Sequence, residues 1–153
     1  MVVSGYRRLG DPFGYGALVL RMSRQAFDEI VDLAVREYPL EACGLIAGSE
    51  GEDGASAPTF HACRNTAASA KLYTVDPADH LRAERAADDA DLDIIGVVHS
   101  HTHTEPYPSA TDVAQAPDPG WHYVIVSLKR DAPEIRSYRI VDGVISEERL
   151  VIE

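Results

Sequence analysis

An uninterrupted apolar run, Ile94-Ile95-Gly96-Val97-Val98, leads straight into His99-Ser100-His101. A run this short, rich in β-branched side chains, reads as a strand buried on both faces. Side chains two apart on a strand point the same way, roughly 7 Å apart along the chain, so His99 and His101 can converge on one point. They stand at the carboxyl end of the strand, where ligands in open α/β sheets tend to sit. Whatever surrounds this strand must cover both of its faces.

The rest of the chain supplies those covers. Residues 17–21 read as a short strand. Ser23 is an N-cap for a helix running to about Tyr38, with Phe27, Ile30, Val31 and Ala34 forming one apolar stripe and Pro39 ending it. Residues 43–47 form a buried strand stopped by Gly48. The Gly-, Ser- and acid-rich stretch 49–58 reads as a loop, and 59–64 as a strand paired with the one before. Residues 65–70 look irregular, and 72–75 read as a further strand. Asp76-Pro77 caps an Ala-rich helix that runs to about Ala90. After the histidines, 109–116 form a short helix closed by Pro117, and 121–128 a central strand. Two last strands, 135–140 and 144–150, flank Asp142-Gly143, a strong hairpin signal. The order implies an α/β fold: a mixed sheet with helices laid on it. Residues 1–16, with four glycines and a proline and no periodicity, are expected to form a flexible segment ahead of one domain spanning 17–153.

Charge narrows the partners. Asp plus Glu number 25 against 14 Lys plus Arg, a net charge of −11, which argues against nucleic acid and anionic membranes. No stretch approaches the ~20 apolar residues of a membrane span. The first ten residues lack the apolar core of a signal peptide, so a cytoplasmic location is expected. The two cysteines, Cys43 and Cys63, read as buried thiols in a reducing compartment, and two alone exclude a cysteine-based zinc cage.

The sequence from His99 continues to Ser109-Ala-Thr-Asp112. Two imidazoles and a returning carboxylate, with one position open for water, describe a catalytic rather than a structural zinc site. His103 extends the alternation, but Pro106 and Pro108 soon break the strand, so it is expected in the loop as a substrate contact rather than a ligand. Asp112 has a competing reading: Ser109 and Asp112 are spaced as a capping arrangement at a helix start. The histidines favour metal for Asp112, which leaves the Ser109 hydroxyl one helical turn away, able to donate to a developing oxyanion. A zinc hydrolase also needs a carboxylate that is not a ligand to take a proton from water. Spacing alone does not select Glu41 among many acids. The chain has no His-Glu-x-x-His, no Gly-rich phosphate loop and no Gly-x-Ser-x-Gly elbow. A cupin would fit His99, His101 and Glu105, but its jelly roll has no place for three helices.

Glu41, then His99-x-His101, ten residues, and Asp112 with Ser109 inside, resembles the JAMM (MPN+) metalloprotease family. The resemblance runs from about Ala17 to the C-terminus. Further stretches, among them Thr104-Glu105, Tyr107-Pro-Ser109, His122-Tyr-Val124 and Arg136-Ser-Tyr-Arg-Ile-Val-Asp-Gly143, are similar to its Mec-like branch. Thr102 stands where many family members have proline, which departs from the eukaryotic deubiquitinases and agrees with that branch. The resemblance implies a cytidine-deaminase-like fold, with Zn²⁺ on His99, His101 and Asp112, Glu41 as general acid/base and Ser109 steadying the tetrahedral intermediate. It implies a peptidase acting between the C-terminal Gly-Gly of a ubiquitin-like sulfur carrier protein and an attached cysteine. Another glycine-ending carrier or conjugate, or a non-catalytic MPN binding module, are the alternatives, and a homodimer is left open.

Overall fold

A computed structural model describes residues 19–116 and 118–153. The expectations for 1–16, for the start of the first strand and for Pro117 as a helix stop lie outside those residues.

The described elements run β1 (Val19–Met22), α1 (Arg24–Glu37), β2 (Cys43–Gly51), β3 (Gly54–Cys63), α2 (Pro77–Asp89), β4 (Asp93–His101), α3 (Ala110–Ala114), β5 (His122–Ser127), β6 (Glu134–Val141) and β7 (Val144–Ile152). The mixed sheet rolls into a closed barrel in the order β1-β3-β2-β4-β5-β6-β7, with β1 parallel to both β3 and β7. β4 lies between antiparallel β2 and parallel β5.

Alternation along the strands sorts side chains into two cores. Leu20, Met22, Ile46, Ala57, Val98, Val124 and Val126 share the inner one with α1. Cys43, Leu45, Val97, Tyr123, Ile125, Tyr138 and Ile140 face outward beneath Ala83 of α2 and Val113 of α3. Ser23 caps α1, its hydroxyl accepting from the Ala26 N–H at 3.0 Å. The buried stripe of α1 is Ala26, Ile30, Leu33 and Ala34, with Phe27 and Val31 only half-buried at its border. It is thus rotated by about one position from the expected stripe. Asp76 caps α2 with Pro77 in the first turn, as expected.

Two expectations fail. Gly48 does not end β2. A Cβ there would sit 1.8 Å from the Ser56 carbonyl oxygen, so glycine permits the close approach at a bulge while the hairpin continues to Gly51 and returns from Gly54. The polar composition of 49–58 reflects a hairpin end reaching solvent, not a loop. Residues 72–75 form no strand either: a single bridge joins Asn65 to Val75. The Asp142-Gly143 turn is present, with φ of 51° and 78°, the left-handed pair that a two-residue hairpin needs.

The inner surface carries a charged cluster. His122 is fully buried at the start of β5; its Nδ1 meets Glu148 at 2.5 Å and its Nε2 meets Glu50 at 2.8 Å. Ser137 donates to the same Glu148 oxygen at 2.7 Å. Burial alone would depress the imidazole pKa, but the two carboxylates outweigh it and push it up to about 9. A basic group whose folded pKa exceeds its unfolded value of about 6.5 stabilises fully below 6.5, and the gain is lost as pH rises through about 9. Stability in urea should therefore fall between about pH 7 and 9, by on the order of 2–3 kcal/mol. In Glu148→Gln the slope over that window should flatten; an unchanged slope would show that His122 does not carry the dependence.

Candidate metal centre

Outward alternation continues past Val97 to His99 and His101 at the carboxyl end of β4, and both are buried. Their Nε2 atoms stand 3.1 Å apart. Asp112 Oδ2 lies 3.2 Å from the first and 3.0 Å from the second. Ligands at about 2.0–2.1 Å on a tetrahedral ion are about 3.3 Å apart, so this triangle has nearly the edges of one tetrahedral face. These three residues are the group among the described residues whose donor atoms converge as metal ligands do.

Surrounding contacts orient each donor. His101 Nδ1 lies 2.8 Å from the Glu105 carbonyl, which can only accept, so Nδ1 carries the proton and the Nε2 lone pair faces the triangle. His99 stacks on Tyr73, with ring centroids 4.4 Å apart, and burial pushes its pKa down toward the neutral form that binds metals. Burial would raise the Asp112 pKa, but the adjacent His101 and His99 rings and the hydrogen bond from the Ser109 N–H hold it well below the usual carboxylate range.

The competing readings of Asp112 are both present. Ser109 is the N-cap of α3; its hydroxyl accepts from the Asp112 N–H at 3.1 Å, and Asp112 Oδ2 accepts from the Ser109 N–H at 2.9 Å. That same Oδ2 faces the two histidines. The capping box therefore aims the carboxylate instead of consuming it. The Ser109 hydroxyl is an acceptor in the cap, so its own proton stays available for donation.

Glu41, which spacing could not select, is buried beside this triangle. Its N–H donates to the Ser69 carbonyl at 2.8 Å, and its carbonyl accepts from Asn65 Nδ2 at 3.1 Å. The next residue is tied to β4: the Ala42 N–H donates to Ser100 Oγ at 2.7 Å, and the Ser100 N–H to the Ala42 carbonyl at 2.9 Å. The Glu41 Oε1 atom is buried without a hydrogen-bond partner among the described residues. Burial, partly opposed by His101, pushes its pKa up to about 7, the range of a working general base. An unpartnered carboxylate oxygen beside three convergent donors fits a divalent ion and its water.

A cleft of about 230 Å³ opens here, lined by Glu41, Lys71, His101, Thr102, His103 and Ser109. His103 lies beyond the end of β4 and is exposed, its Nδ1 2.9 Å from Thr102 Oγ1 and its Nε2 3.1 Å from the Tyr38 hydroxyl. It is in the loop, as expected, and outside the triangle. Asn65 and Ser100, which fix the backbone on either side of Glu41, belong to stretches that carry the family resemblance but were given no role by sequence reasoning. Their roles depend on the chain returning from distant positions. Cys43 and Cys63 are free thiols, buried as expected.

The family model of prokaryotic homologs of the JAB domain matches residues 23–141. The CysO-cysteine peptidase of Mycobacterium tuberculosis is 43% identical over 132 residues, covering 85% of this chain and 88% of the relative. A probable TtuB-protein conjugate cleaving protease of Thermus thermophilus is 31% identical over 137 residues, covering 89% of this chain and 86% of the relative. Among solved structures, a Desulfitobacterium hafniense protein superposes with a TM-score of 0.81 at 27% identity, covering 88% of this chain and 92% of that one.

Two substitutions should separate cap from cluster. Ser109→Ala keeps the backbone N–H that holds Asp112. It should cost about 1 kcal/mol of unfolding free energy yet retain zinc within a few-fold in a chelator competition. Asp112→Ala should lose both. Zinc loss in Ser109→Ala as complete as in Asp112→Ala would show that the cap does not act as described.

Proposed function

Because the chain belongs to the family of prokaryotic homologs of the JAB domain, and is thereby a metallopeptidase, we propose that it hydrolyses the bond between the C-terminal glycine of a ubiquitin-like sulfur carrier protein and cysteine. The observation that carries this reading is the 43% identity to a CysO-cysteine peptidase across 85% of the chain. The convergence of His99, His101 and Asp112 beside Glu41 supports a working centre rather than a binding module.

In this reading His99, His101 and Asp112 hold Zn²⁺. When bound there, the ion would supply Lewis acidity, lowering the pKa of water toward ~7 and polarising a carbonyl. Glu41 accepts the proton of the attacking water, for which its partnerless oxygen and raised pKa prepare it. Ser109 donates its hydroxyl proton to the oxygen that becomes negative, a contribution typically worth about 3–4 kcal/mol in the transition state. Glu41 then delivers the proton to the leaving amine as the C–N bond breaks. The products are a carrier ending in a glycine carboxylate and free cysteine. A glycine-ending tail suits such a cleft because it brings no side chains near the scissile bond. In this reading the plan of sheet, helices and metal site at a strand end is cytidine-deaminase-like. Two free thiols suit a reducing, cytoplasmic setting. The Thermus relative favours a second reading, cleavage of a carrier from a protein conjugate.

The test is mass spectrometry of a sulfur-carrier–cysteine adduct incubated with zinc-loaded protein. Wild type should release the terminal cysteine. Glu41→Gln should keep its zinc and slow turnover by about 10²–10⁴-fold. An intact adduct with wild type, zinc still bound, would reject this substrate; full activity in Glu41→Gln would reject the base.

A further inference from the structure

The cleft holds one cation that the mechanism above does not use. Lys71 lines it together with Glu41 and Ser109, and its side chain makes no ion pair among the described residues. The chain has two lysines, and the other, Lys129, is paired with Glu105. Arg21, Arg64, Arg82, Arg130 and Arg136 are likewise paired with acids, whereas Arg24, Arg36, Arg85 and Arg149 make no ion pair among the described residues. What sets Lys71 apart is its place: in a chain of net charge −11 it is an unpaired ammonium on the wall of the catalytic cleft, where it can attract an anion.

The position of Lys71 has a direction. Its segment is joined to Glu41, because the Ser69 carbonyl takes the Glu41 N–H at 2.8 Å and the Ser69 hydroxyl takes the Lys71 N–H at 3.0 Å. The Thr102 hydroxyl reaches the Ala70 carbonyl at 3.5 Å, which ties the same segment to the loop after β4. Lys71 therefore belongs to the Glu41 flank. Glu41 delivers a proton to the leaving nitrogen, so the leaving group sits on this flank, whereas the carbonyl oxygen is served by Ser109 from α3. When the leaving group is a single amino acid, its α-carboxylate is two bonds from that nitrogen. When the leaving group is a lysine side chain of a conjugated protein, no carboxylate is there.

We infer that the Lys71 ammonium pairs with the free α-carboxylate of the leaving residue, making the site selective for removing one terminal amino acid over cleaving a carrier from a protein. The inference rests on the peptidase reading above and deepens it. Lysine suits the task as a point charge on a flexible stem that can follow the departing carboxylate. Without it, the acidic surface would oppose a negatively charged leaving group.

The experiment uses the zinc-loaded protein and a ubiquitin-like carrier ending in Gly-Gly, ligated either to cysteine or to cysteinamide, which lacks only the carboxylate charge. Wild type should favour the acid over the amide in kcat/KM by roughly two- to fivefold, the scale of a partly exposed ion pair. In Lys71→Met that preference should collapse through a raised KM for the acid, with zinc content retained, and Lys71→Arg should restore most of it. A wild type that cleaves acid and amide equally, or a preference that survives in Lys71→Met, would overturn the role of Lys71 while leaving the peptidase standing. Cleavage of neither adduct by wild type would overturn the peptidase reading and this inference with it.

Discussion

The register between β2 and β4 is the constraint on which the rest depends. Cys43 lies opposite His99, and Gly44 opposite Val98. Side chains alternate with a period of two, so a slip of one residue would turn His99 and His101 into the barrel and bring Ser100 out. The register is protected by burial on both faces of β4 and by the paired bonds of Ala42 and Ser100 just beyond the ladder. Those same bonds place Glu41. One strand pairing therefore aligns the imidazoles and the candidate base, although they are far apart in sequence.

Much of this was legible before folding. β4, both long helices and the final hairpin each carry a local signal: a continuous apolar run, a Ser or Asp cap, an Asp-Gly turn. The His-x-His spacing was read from strand alternation alone. What failed had no local signal. Gly48 looks like a stop because glycine usually is one; only the opposing Ser56 carbonyl shows that it is an approach point. Residues 72–75 have strand composition, yet barrel closure leaves them a single bridge. Glu41 was nameable only through the family motif, because its burial and its unpartnered oxygen are created by residues from 65–70 and from β4. Asp112 was posed as a choice between cap and ligand. A carboxylate oxygen accepts more than one contact, so the choice was never forced.

The barrel wall also keeps two titrating clusters apart. His122 with Glu50 and Glu148 faces inward at the start of β5, while His99, His101 and Asp112 face outward at the end of β4. Parallel pairing of β4 with β5 sets His122 beside Gly96 and Ile125 beside His99. An apolar layer thus separates charges that would otherwise perturb each other across a low-dielectric interior.

The two thiols give the fold a further property. Cys43 and Cys63 face each other across β2 and β3, and burial pushes their pKa values up to about 12 and about 11. Only thiolates exchange with disulfides, and these two hold almost none at neutral pH. On the reaction proposed above, the enzyme would work amid its own nucleophilic product and whatever cystine forms from it. By withholding its thiols from water, this barrel would be spared mixed-disulfide formation with that product.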